Sequence, residues 1–188
     1  HLGLASGYSS SGTDGNSTYV VLEVLTAAEA ALERIEAYNN GDGTTPAALT
    51  EADYTTAGVT GVSADNLAAV NAQVLAAATG GADTVAEVQA YVSAADAALA
   101  EIEAYNNGDG ATPGALTLAD YTAAGITDVS ADNLAAVNAQ VLAAASGGAD
   151  IVSEIQAHVT AADAALAVIE AYNNGSGTDP AALSAQEY

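Results

Sequence analysis

The stretch SADNLAAVNAQVLAAA at residues 63–78 returns letter for letter at 130–145, an offset of 67 residues. In each copy Leu67, Val70 and Val74, or Leu134, Val137 and Val141, form an apolar series. Steps of three and four put them on one face of a helix, and the alanines between them favour helix and close approach. A middle helix starting at Ser63 or Ser130 is expected.

Working outward, the same period governs the flanks. Tyr38-Asn39-Asn40 recurs as Tyr105-Asn106-Asn107 and as Tyr172-Asn173-Asn174. Between the Gly-Gly pairs and this tripeptide, a long helix is expected over 83–106 and again over 150–173. Its seam is Val85, Val88, Val92, Ala95, Leu99 and Ile102, a heptad-like alternation of three and four. The second copy repeats it with Val152, Ile155, Val159, Ala162, Leu166 and Ile169. Asp83 and Asp150 stand where a cap would open it. A short helix should follow, opened by Thr50-x-x-Asp53 or Thr117-x-x-Asp120 and closed by Gly58 or Gly125. Ser184-x-x-Glu187 carries the same signal in the third copy.

The expected fold class is therefore all-α: tandem three-helix repeats forming an elongated array, with a non-helical N-terminal leader. The leader is the Gly/Ser-rich 1–17, read as a flexible linker. A partial repeat holding the long helix spans 18–40, full repeats span 41–107 and 108–174, and a further partial repeat spans 175–188. Thr18–Leu25 is β-branched and could form a strand, but Val21 and Leu25 continue the seam into Leu32 and Ile35, which favours a helix beginning near Asn16–Thr18. Opening at His1 rather than Met, the chain reads as a processed product or part of something longer.

Twenty-four acidic residues face one base, Arg34, for a net charge of −23. Such a surface repels phosphate backbones and anionic headgroups, which speaks against nucleic acid and polybasic membrane contacts. It keeps a polymer soluble where salt screens its self-repulsion. With no lysine there is no isopeptide crosslink or Schiff base, and with no cysteine no disulfide or thiolate ligand. No run reaches the roughly 18 apolar residues of a membrane span.

The order AGVT-x-VSADNLAAVNAQVLAAA (57–78), a Gly-rich break and then the long helix resembles the Ala-rich three-helix tandem repeats of large bacterial extracellular adhesin and biofilm surface proteins. The resemblance covers 26–188 and implies a spacer that holds an adhesive tip away from the cell. Tyr54-x-x-x-Gly58-Val59 and the helix order are also distantly similar to the albumin-binding modules of Gram-positive surface proteins. That family uses a partly basic surface, which a chain without lysine does not offer.

Reactive chemistry is sparse. Asn39-Asn40-Gly41-Asp42-Gly43, with its copy Asn106-Asn107-Gly108-Asp109-Gly110, has part of the look of a calcium loop. With Asp42 and Gly43 at loop positions five and six, Tyr38 falls where the first carboxylate belongs and Leu49 where the last does; Ser176 replaces the aspartate in the third copy. A helix C-cap and polar turn explains the same letters better. His158 replaces Tyr91 and reads as a helix-surface or groove residue. Glu101 and Glu103 point to different helix faces, and Gly80-Gly81 and Gly147-Gly148 lack the lysine of a phosphate loop. Asn16-Ser17-Thr18 and Asn174-Gly175-Ser176 match the N-glycosylation pattern, and Ser9, Ser10 and Ser11 could carry O-linked glycans.

No catalytic, cofactor-binding or metal-binding residue is assigned, and an enzyme is not expected. The expected function is that of a non-catalytic structural repeat protein of the extracellular space or cell surface, a segment of an adhesin, stalk or fibre. The alternative is a helical module that recognises a partner or host protein. Expected contacts are head-to-tail self-association or neighbouring repeats of a longer chain.

Overall fold

Local capping decides where each helix begins. In the computed structural model, which describes residues 25–41, 46–108 and 113–175, Thr26 accepts from the Glu29 amide while the Glu29 carboxylate returns to Thr26 N–H. This capping box starts α1 (Ala27–Asn39). Within the described residues the helix expected over 18–40 begins at Ala27, after Thr26, whose backbone is extended (φ −65, ψ 162). The counterparts of Thr26 in the later copies, Ser93 and Thr160, lie inside helices and turn their hydroxyls back to Gln89 and Gln156 carbonyls.

The remaining helices are α2 (Glu51–Ala57), α3 (Leu67–Ala76), α4 (Val85–Asn106), α5 (Leu118–Ala123), α6 (Leu134–Ala143) and α7 (Val152–Asn173). Among the described residues there are seven helices and no strand, an all-α fold. The boxes at Thr50/Asp53 and Thr117/Asp120 open α2 and α5 as their spacing predicts. Gly58 ends α2 in the left-handed region at φ 90. After α5 the cap is Ala124, with Gly125 following at φ 71.

Four further starts differ from expectation. α4 is capped by Thr84 with Glu87, not by Asp83, and Ile151 rather than Asp150 precedes α7. Ile151 has no side-chain acceptor, so the orphan amide of Val152 bonds the Asp65 carbonyl at 3.2 Å instead. The middle helices begin at Leu67 and Leu134, a turn later than Ser63 and Ser130. There Asn66 and Asn133 side chains accept from the Ser63 and Ser130 amides and hold the entry turn.

α1 packs on α2 and α3, α3 on α4, α4 on α5 and α6, and α6 on α7; α3 also touches α5. The first half of α4 meets the turn before α3, through Gln89 and Asp96, while its end meets α6 through Asn106. One long helix thus serves two neighbouring sets of short ones. The seam of α4 is buried from Val88 to Ile102, with Val85 at its mouth 36% exposed. A single apolar cluster runs without a break from Ala31 and Ile35 to Val159 and Ala162. Its side chains are mostly alanine and valine, so helix axes come close and small volume changes are felt.

Residues 1–17, the stretch 18–24, Asp42, Gly43, Asp109, Gly110, Ser176 and the Ser184/Glu187 box all lie outside the described residues. Both glycosylation patterns and the centre of each calcium-like loop fall there in whole or in part. No helix among the described residues is long and apolar enough to cross a membrane.

Candidate functional site

Buried asparagines, rather than acids or histidines, are the polar groups the fold organises. Asn39 ends α1 and is 4% exposed, its Nδ2 donating to the Val74 carbonyl at 2.8 Å and the Ala77 carbonyl at 3.1 Å. Asn106 does the same at the end of α4, toward Val141 at 2.8 Å and Ala144 at 3.2 Å. Each satisfies carbonyls at the C-terminus of a middle helix. The next residue completes the clamp: Asn40 Oδ1 accepts from Gly80 N–H, and Asn107 Oδ1 from Ser146 Oγ and Gly147 N–H. The Oδ1 atoms of Asn39 and Asn106 are buried without a donor.

A second pin ties the short helix to the middle one. Tyr54 Oη donates to Asn71 Oδ1 at 2.7 Å, and Asn71 Nδ2 donates to the Leu49 carbonyl at 3.0 Å. Tyr121, Asn138 and Leu116 reproduce it at 2.7 and 2.9 Å. Desolvation, with smaller effects from Tyr38 and Asp53 or from Tyr105 and Asp120, holds the Tyr54 and Tyr121 hydroxyls far above the ordinary tyrosine range. These phenols stay protonated donors. A third pin joins Asn66 to Asp96 and Asn133 to Asp163, each at 2.7 Å. Apart from the Ser146 hydroxyl contact, these bonds recur 67 residues on.

The residues singled out from sequence fall into this framework. Tyr91 Oη donates to the Gly81 carbonyl, and His158 Nε2 lies 2.8 Å from the Gly148 carbonyl. The exchange of tyrosine for histidine therefore keeps one contact, from the long helix to the Gly-Gly turn. Asn40 and Asn107, candidate calcium ligands, spend their amide oxygens on backbone and hydroxyl donors. Among the described residues no group of three or more His, Asp or Glu side chains is placed to share a metal ion. Arg34 Nε approaches Asp53 Oδ1 to 2.9 Å, an ion pair whose side chains are 39% and 20% exposed.

The third Tyr-Asn-Asn differs from the first two. Tyr38 and Tyr105 are buried, but Tyr172 is 46% exposed. Asn173 is exposed too, its Nδ2 reaching only Asn174 Oδ1, at 3.5 Å, among the described residues. Leu166 and Ile169 are half-buried and Val168 is 41% exposed, whereas Leu99 and Ile102 in α4 are buried. The end of α7 therefore presents, uncovered, a surface that is covered twice elsewhere in the same chain. This is the candidate functional surface. Sequence reading missed it because the three tripeptides are identical in letters and differ only in what lies opposite.

No protein-family model, curated protein or solved structure matches the chain.

Proposed function

We propose that the protein is a non-catalytic spacer, built as an elongated array of tandem three-helix repeats in the extracellular space or at a cell surface, in the manner of an adhesin, stalk or fibre segment. The observation that carries this reading is the recurrence, 67 residues apart, of the same buried polar pins on the same elements. Their side chains set geometry between helices. The continuous apolar cluster and the long α4 that serves two sets of partners favour stiff coupling between units over beads on a flexible string. The net charge of −23 gives such an array solubility, and one basic residue leaves little for trypsin-like proteases. Glycans on Asn16 or Asn174 would add to that protection.

The second reading, a helical module that recognises another protein, is favoured by the exposed Val168 and Tyr172 of α7. One experiment separates the two. The chain is tethered between a surface and a reporter, and residues 63–129, one period, are removed. A spacer loses a fixed increment of reach and keeps its helix content and any partner binding. Unchanged reach, or loss of partner binding with the unit, would favour recognition over reach.

A further inference from the structure

We infer that the last turns of α7, together with the outer face of α6, form one docking surface for a helix pair of the α5–α6 kind, supplied by a further repeat unit. The inference rests on the array reading above and names the partner of its open face.

Two separate surfaces are left uncovered in the second copy, and in the first copy the same pair of helices covers both. On α3, Ala69 is buried, Gln73 Nε2 donates to the Ala123 carbonyl of α5 at 2.8 Å, and Gly125 lies against the Ala68 backbone. On α4, Leu99, Ile102, Tyr105 and Asn106 are covered by α5 and α6. The counterparts are open: Ala136 on α6 is only half-buried, Gln140 makes no such bond among the described residues, and α7 exposes Val168, Tyr172 and Asn173. A single occupant that reproduces α5 and α6 fills both surfaces at once. It must bring a Gly turn thin enough to lie on the Ala135–Ala136 backbone, and a middle helix whose last carbonyls take the two Nδ2 hydrogens of Asn173.

A second copy of the chain fits less well. Its own α2 and α3 are already packed on its α1. Over 27–39 and 161–173, α1 and α7 differ only at Glu29/Asp163, Glu33/Ala167 and Arg34/Val168. The Arg34–Asp53 pair therefore belongs to α1 alone, and Val168 cannot replace it by exchange.

The test lengthens the whole chain by duplicating residues 108–174 directly after Asn174, so that α7 is followed by a known helix pair. Amide hydrogen exchange is then measured over 166–173. In the lengthened chain these amides gain about tenfold protection, approaching that expected of the covered α4 amides, and Asn173→Ala removes most of the gain. In the unmodified chain Asn173→Ala changes nothing there. Equal exchange in the two chains, or a gain that Asn173→Ala leaves intact, overturns the inference. If the unmodified chain instead gains the protection as it dimerises at higher concentration, the occupant is a second copy and the assignment to a further unit fails. Reach reports separately on the array reading. A chain that lengthens without protection keeps the spacer and loses the docking surface; protection without added length does the reverse.

Discussion

Asn106 ties the end of α4 to α6 from a buried position. Its amide gives hydrogens to the Val141 and Ala144 carbonyls at the end of α6. Replacing Asn106 or Asn39 by alanine should cost about 1–3 kcal/mol, the range for leaving buried polar partners unsatisfied, and chemical denaturation will measure it. Arg34→Ala should cost under about 1 kcal/mol, because its ion pair is partly exposed and screened. The buried tyrosines set an alkaline limit. Tyr54 and Tyr121 ionise far more reluctantly when folded than in the unfolded chain, so the folded state retains protons that the unfolded one sheds. Their contribution is complete below the unfolded value of about 10 and falls as pH rises above it. Helix content followed across that range should fall as tyrosinate forms at these two sites, and Tyr121→Phe should weaken the pH dependence. Asn71 and Asn138 could have been suspected from sequence, since each follows a valine in a largely apolar helix. Their partners, a tyrosine and a carbonyl on another element, have no local signature.

At the scale of the element, the capping boxes at Thr50 and Thr117 and the seams of the long helices were legible because they depend on residues three and four apart. The starts of α4 and α7 were less so. Asp83 and Asp150 compete with a Thr84/Glu87 box in one copy and with a tertiary acceptor, the Asp65 carbonyl, in the other. The glycines that follow the short helices test whether packing between units matters. Gly58 and Gly125 are both left-handed, at φ 90 and 71. A Cβ on Gly58 would meet nothing within 4 Å, but one on Gly125 would come within 2.6 Å of the Ala68 carbonyl. Gly58→Ala should therefore cost only the backbone penalty, about 1–2 kcal/mol. Gly125→Ala should cost clearly more and should also raise amide exchange on α3 near Ala68–Ala69, because α5 must move away. Equal costs would mean that the α3–α5 contact contributes little. Identical letters at the two glycines hid this difference, since it arises from the neighbour across the junction.

For the molecule as a whole, charge and continuity make opposite demands. A net charge of −23 on 188 residues repels itself, and screening over a Debye length of about 10 Å at 0.1 M salt relieves much of that. Thermal stability should rise with sodium chloride from low to moderate concentration. A chelator at constant ionic strength should shift it little, since Asn40 and Asn107 already direct their amide oxygens to protein donors. A large shift on chelation would show that the Asn-Gly-Asp-Gly loops hold an ion. The central claim is that successive units are coupled stiffly into an extended array. Small-angle scattering tests it most directly, on the full chain and on the chain lacking residues 63–129. The account predicts an extended particle whose longest dimension drops by a definite step on deletion while its cross-section is unchanged. A compact particle, or a deletion that shrinks every dimension alike, would contradict it.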